Sequence, residues 1–219
     1  MTSATITTQV DEFNVGFAEQ VGPRLAAVFA AEQSDLVSGG VPAAAVTVGA
    51  TLPDAPLLDP TGASTALYSA LGSAPAVIVF YRGAWCPYCN ITLKHYQDEL
   101  LPRLRERGVG LVAISPQTPA GSDAAIANGS LEFTVLSDPA NALASSLGIL
   151  TEPSAEARSA HTELGFDVAD SNADATGAIP HPTVLVVGAD RVVRFADVQV
   201  DYTRRTEVAD ILVAVSALD

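Results

Sequence analysis

Two cysteines, Cys86 and Cys89, are the only thiols in the 219 residues, and they stand three apart in Arg82-Gly83-Ala84-Trp85-Cys86-Pro87-Tyr88-Cys89. The thiolate is the nucleophile of sulfur chemistry, and an ordinary thiol with a pKa of about 8.5 is only slightly ionised at neutral pH. Some local feature must therefore favour the anion. An apolar, β-branched run from Ala76 to Tyr81 stops at Gly83, and a helical pattern begins at Pro87, so the pair lies where a buried strand feeds a helix. Proline suits a first helical turn because the N–H it lacks would have no partner there. That puts Cys86 at or just before the N-cap and Cys89 one turn further in. The free N–H groups and the dipole of a helix start favour a thiolate. Cys86 is the expected attacking sulfur. Cys89, within reach along the turn, is the expected resolving sulfur that closes a disulfide with it.

Two other uses of paired cysteines compete with this one. A zinc site needs two further ligands, and His95, His161 and His181 show no H-x3-5-H spacing. A structural disulfide between residues three apart closes a small loop and constrains the unfolded chain little. Redox chemistry is favoured, since C-x-x-C beside a strand-helix-strand pattern has a direct mechanism. No metal, flavin or haem is implied; the redox-active group is the Cys86/Cys89 dithiol itself.

The elements that must position the pair are legible from hydrophobic periodicity. The first nine residues are expected to be disordered. From Val10 to about Leu36, Phe13, Phe17, Val21, Leu25, Val28 and Phe29 lay one apolar stripe on a helix, broken or kinked at Gly22-Pro23. The stripe serves either the protein's own core or a homodimer contact. Loop follows to about Pro56, then a turn at Asp59-Pro60-Thr61-Gly62 and a short helix over 63–71. The strand Ala76 to Tyr81 leads into a helix from Pro87 to about Arg107 with a kink or split at Pro102, then a strand over 109–114. Strand-helix-strand at this spacing implies parallel neighbours and a right-handed crossover. A helix opens at Thr118-Pro119, a strand spans 133–136, and Ser137-Asp138-Pro139 caps another helix that stops at Gly148. Residues 151–179 are polar and weakly periodic, with a short helix over 155–161 and one apolar anchor at Leu164-Gly165-Phe166, and are expected to form a long insertion. Two strands over 183–187 and 191–198, tightly joined, must be antiparallel. A closing helix runs over about 205–218.

The net charge of −14, from 11 basic and 25 acidic residues, argues against binding nucleic acid or anionic membranes. No apolar run reaches 18 residues, and the first ten residues lack the pattern of a signal peptide. A cytoplasmic location is expected, where a C-x-x-C pair is more often catalytic than structural.

The element order, with a dithiol at the first helix start and a proline before the final hairpin, resembles the thioredoxin fold: a central mixed β-sheet flanked by helices. More narrowly the chain resembles the peroxiredoxin-like branch of the AhpC/TSA family. Val48-Gly49 with Pro53-Asp54, the stretch Phe80 to Cys89, Ala113 to Gln117, Leu136 to Pro139, and Asp201 to Glu207 carry the likeness. It implies an N-terminal helical extension over 1–47 and a thioredoxin-like domain over 48–219. It also implies a cis-proline beside the dithiol at Pro182, with the backbone of His181 against Cys86, while the His181 ring itself is expected to transfer no proton. Arg205, or failing it Arg204, matches the family's arginine that stabilises thiolate and peroxide; Arg82 is a rival by proximity. Trp85, Pro87, Tyr88 and Gly83 would shape the site. The family's P-x-x-x-T-x-x-C pattern, counted from Cys86, falls on Val79 and Gly83, so the threonine hydroxyl that orients the peroxide is absent.

The resemblance implies a thiol-dependent peroxidase. Cys86 would attack hydrogen peroxide or an organic hydroperoxide, Cys89 would resolve the sulfenic acid, and thioredoxin, glutaredoxin or a low-molecular-weight thiol would restore both. Two alternatives use the same cysteines: a thioredoxin- or glutaredoxin-like disulfide oxidoreductase, and a redox-sensing interaction module.

Overall fold

The structure is a computed structural model, and it describes residues 4–218. Helix α1 (Ile6–Gly39) comes first and bends at Gly22, whose φ of +79° lies outside the helical region, one residue before Pro23. It starts earlier than expected: residues 6–9, read as disordered from the sequence, are helical, and residues 1–3 lie outside the described residues. The cause is long-range. The Thr5 hydroxyl accepts the Thr8 N–H, and the Glu207 carboxylate, some 200 residues away, accepts the N–H groups of Ile6 at 3.1 Å and Thr7 at 2.8 Å. Orphan donors of a first turn are satisfied in this way by a distant acid that no local pattern reveals.

The hairpin of β1 (Pro56–Leu58) and β2 (Ser64–Ala66) turns at Asp59, whose side chain accepts the N–H groups of Thr61 and Ala63. Next come α2 (Leu67–Leu71), β3 (Ala76–Phe80) and α3 (Pro87–His95). The expected interruption near Pro102 takes the form of a π-helical turn (Tyr96–Leu100) leading into α4 (Leu101–Glu106). The lengthened turn ahead of the proline accommodates the missing donor. β4 (Gly110–Ser115), α5 (Pro119–Gly129), β5 (Thr134–Ser137) and α6 (Ala142–Ser146) follow. The segment over 151–179, expected from sequence to be an insertion, is bounded by β6 (Leu150–Thr151) and β7 (Ile179–Pro180), which pair with each other, and carries α7 (Ala155–Glu163) and α8 (Val168–Ser171). Strands β8 (Thr183–Val187) and β9 (Val193–Val198) and helix α9 (Val208–Ser216) close the chain.

The seven-stranded sheet has the order β2-β1-β5-β4-β3-β8-β9. Strands β3, β4 and β5 are parallel, and β8 runs antiparallel to β3 with Phe80 opposite Thr183. Every side chain of β3 is buried, as its unbroken apolar run requires of a strand covered on both faces. One core lies between the sheet and the layer of α1, α3, the π turn, α4 and α9; the other lies on the opposite face with α2 and α6. Helix α1 is thus part of the core near the dithiol, through Ile6 and Val10.

One expectation is corrected here. The His181-Pro182 bond is trans, as are all peptide bonds of the described residues. The chain enters β8 extended, with the His181 N–H donating to Ile149 O at 2.8 Å and Pro182 O accepting the Gln199 N–H at 2.9 Å. Both bonds hold the trans form, the lower in energy by about 0.5–1 kcal/mol for an X-Pro bond. No helix of the described residues is long and apolar enough to cross a membrane.

Candidate active site

The carboxyl end of β3 delivers Tyr81 and Arg82 into a loop that ends at the N-cap of α3. Cys86 is that N-cap and Pro87 the first helical residue, so Cys89 lies in the first turn, its N–H donating to Cys86 O at 3.1 Å. Two side-chain amides fix the loop. Gln117 Oε1 accepts the Ala84 N–H at 2.6 Å, and Asn90 Nδ2 donates to Ala84 O at 2.8 Å. Gly83 is there for space: with φ at +152°, a Cβ on it would lie 2.4 Å from Trp85 Nε1 and 2.9 Å from Gln117 Cδ.

Both thiols are reduced and buried. Arg205, in the segment between β9 and α9, is held by the carbonyl of Tyr202 and places Nη2 at 3.5 Å from Cys89 Sγ. Burial opposes a thiolate at Cys89. The Cys86 thiol donating to it, the Arg205 guanidinium, a backbone hydrogen bond from Arg82 and the Arg82 charge outweigh that, and hold the Cys89 thiol well below its ordinary range. Burial pushes the Cys86 thiol up, and its hydrogen bond to Cys89 and the negative charge there push it further. Arg205 thus favours a thiolate at Cys89, whereas the helix-end argument from sequence favours one at Cys86. Both cysteines share that helix end, so it cannot separate them. The guanidinium can.

Two cavities meet at the dithiol. One, of about 10 Å³, is lined by Tyr81, Cys89, Pro182, Thr183 and Arg205 among others. That is about the room a single water needs. The other, of about 160 Å³, is lined by Cys86, Arg82 and a ring of aromatic groups. Arg82, expected at the surface or near the thiol, is 5% exposed, with its guanidinium carbon 5.0 Å from the Trp85 ring centroid and 4.2 Å from that of Tyr202. Tyr88 anchors the site to α1, its hydroxyl donating to Asn14 Oδ1 at 2.7 Å and its ring meeting Phe13 edge-on. His181 is buried, and burial together with the Arg82 charge lowers its pKa to about 4, so its ring is neutral at pH 7. Arg204 is exposed and faces Asp201. Among the described residues no cluster of His, Cys, Asp or Glu is placed to hold a metal ion.

Sequence reasoning passed over His161 and Phe166 as site residues. Both come from the insertion, and their rings lie 5.8 and 5.4 Å from that of Trp85. Phe166 belongs to the one apolar anchor of that segment, which was the available signal.

The AhpC/TSA family profile matches residues 48–196. The chain belongs to the AhpC/TSA family. As a member of that family it is a thiol-dependent oxidoreductase. Among solved structures it is similar to the peroxidoxin BcpB of Mycobacterium tuberculosis, with 23% identity, 80% of this chain and 99% of that chain covered, and a TM-score of 0.59. It is also similar to Prx3 of Vibrio vulnificus in complex with hydrogen peroxide, with 19% identity, 80% and 99% coverage and a TM-score of 0.60. A peroxiredoxin-like protein of Aquifex aeolicus shows 16% identity, 80% and 89% coverage and a TM-score of 0.61. At these identities the likeness is one of fold. No curated protein matches the chain.

Proposed function

We propose that this AhpC/TSA protein reduces a small hydroperoxide with Cys89 as the attacking sulfur and Cys86 as the resolving one, the reverse of the order expected from sequence. The observation that carries the reading is Arg205 Nη2 at 3.5 Å from Cys89 Sγ. Counted from Cys89 rather than Cys86, the family's P-x-x-x-T-x-x-C pattern falls on Arg82 and Cys86. The position of the hydroxyl is then occupied by a thiol that can donate the same hydrogen bond, and Gly83 no longer marks a missing group.

The cycle follows from these positions. The Cys89 thiolate attacks the nearer peroxide oxygen, the O–O bond breaks, and the leaving alkoxide or hydroxide takes up a proton. Arg205 faces both the thiolate and the charge that develops on the peroxide, which lowers the barrier where charge builds. Cys86 then displaces water from the Cys89 sulfenic acid to form the disulfide, and an external thiol reduces it. The narrow cavity at Cys89 favours a peroxide presented by its oxygens over one with bulk next to the O–O bond.

Trp85 adjoins Cys86, so its fluorescence reports the oxidation. Mixing reduced protein with stoichiometric hydrogen peroxide in a stopped-flow instrument, followed by mass analysis, tests the assignment. Cys89→Ser is expected to abolish the reaction, and Cys86→Ser to stop at a sulfenic acid that dimedone traps. The opposite pattern returns the attack to Cys86, and a rate no faster than that of a free dithiol rejects the peroxidase.

A further inference from the structure

The cavity on the Cys86 side has features that the peroxide step does not use. Its volume of about 160 Å³ is close to the ~150 Å³ that holds a benzene ring in an engineered core. Helix α1 contributes Phe17 and Phe29, the insertion contributes His161, Leu164 and Phe166, and Cys86 lies at one wall. Arg82 also lines it, buried, with aromatic faces against its guanidinium and no ion pair with any carboxylate of the described residues. Glu32 shares a neighbouring small cavity with Arg82, but one of its oxygens accepts the Ser154 N–H and the other has no partner. A buried cation without a carboxylate is costly, and aromatic faces compensate it only in part. The wall therefore offers a cation to something small and anionic.

Resting on the reading of Cys89 as the attacking sulfur, we propose that this cavity binds the reductant, a small carboxylate-bearing thiol that pairs with Arg82 and attacks Cys86 of the disulfide. Two arguments select this occupant. In a disulfide exchange the sulfur that leaves best is the one whose thiolate is more stable, which is Cys89 beside Arg205, so the incoming thiol must attack Cys86. Cys86 is also the sulfur that lines the cavity, while being only 1% exposed beneath α1 and the insertion. A protein dithiol would have to bring its own backbone under that cover; a small thiol would not.

The exchange balances in two steps. The thiolate attacks Cys86 Sγ, a mixed disulfide forms, and Cys89 leaves as thiolate. A second thiolate attacks the small-molecule sulfur, giving the symmetric small disulfide, and Cys86 leaves and takes up a proton. Two thiols lose one electron each, and the protein disulfide gains both.

The test starts from protein oxidised to the disulfide with diamide and follows Trp85 fluorescence on adding 3-mercaptopropionate, 2-mercaptoethanol or cysteamine, with rates expressed per thiolate. A disulfide-closed Cys-Pro-Tyr-Cys peptide supplies the intrinsic ranking. The expected result is anion over neutral over cation, with an anion-to-cation ratio at least about tenfold above that of the peptide, as a charge-assisted pair implies. Arg82→Met is expected to collapse that ratio. A wild-type ratio equal to the peptide's overturns the proposal without need of a variant, as does faster reduction by a thioredoxin-type protein dithiol at equal thiolate. Because diamide makes the disulfide, failure of hydrogen peroxide to oxidise the protein would reject the peroxidase reading separately.

Discussion

In the proposed mechanism Arg205 does more for reactivity than the helix end on which sequence reasoning relied. A helix terminus contributes a partial charge to both cysteines, whereas the guanidinium, though its charge reaches both, hydrogen-bonds Cys89. Replacing Arg205 with Met removes the contact while leaving a long side chain to fill the space. The Cys89 thiol is then expected to titrate higher, and oxidation by hydrogen peroxide at pH 7 to slow by about 10- to 100-fold, since each pKa unit is about 1.4 kcal/mol. Ultraviolet thiolate absorbance against pH checks the first, and stopped-flow the second; an unchanged titration would remove Arg205 from the site. Gly83 allows a different test. A methyl there meets Trp85 at 2.4 Å, so Gly83→Ala must push the indole off its seat. A destabilisation of roughly 1–3 kcal/mol is expected from such overpacking, with a shifted Trp85 emission spectrum. The spacing of Cys86, Pro87 and Cys89 was readable because a helix start is a local event. Which sulfur the guanidinium faces was not, because Arg205 stands 116 residues from Cys89.

At the scale of elements, α1 and the insertion behave as two halves of a cover over the dithiol. The expectation of an apolar stripe with a break at Gly22-Pro23 came from period and proline chemistry, and both are local. What the stripe meets was not local: Phe29 stacks on His161 at 5.4 Å between ring centroids, and Phe13 meets Tyr88 at 5.3 Å. The start of α1 depends in turn on Glu207, whose carboxylate takes two N–H groups and the Thr7 hydroxyl. Glu207→Ala is expected to fray that first turn and lower stability by about 1–2 kcal/mol, the size of a lost cap, as read from urea unfolding. The loss should reach Cys86 as well. Alkylation of Cys86 by a bulky maleimide should accelerate in Glu207→Ala, because α1 covers the cavity the reagent must enter. Equal alkylation in the two proteins would show that the far end of α1 is anchored independently of its start.

Across the whole molecule, two buried histidines make stability depend on acid. Burial and then the Arg82 charge lower the pKa of His161 and of His181 to about 4, against an ordinary value near 6.5. An imidazole whose folded pKa lies below its unfolded value binds its proton more readily in the unfolded chain. Stability is therefore intact above about pH 6.5 and falls as the pH drops from there toward 4. A difference of this size sets a ceiling of roughly 3 kcal/mol for each ring. Asp138 works in the opposite sense, since burial holds its carboxyl above the usual range despite the Ala144 and Leu143 N–H groups it accepts. The informative quantity is thus the difference between proteins. His161→Phe keeps the ring that packs on Phe29 and Phe166 but cannot take up a proton, so its unfolding free energy should decline less between pH 6.5 and 4 than that of the wild type. Parallel declines in the two proteins would mean that the cover over the dithiol already opens at pH 6.5 and exposes His161 to water. The aromatic cavity would then be present in only a fraction of the molecules, and the preference for anionic thiols should weaken with it.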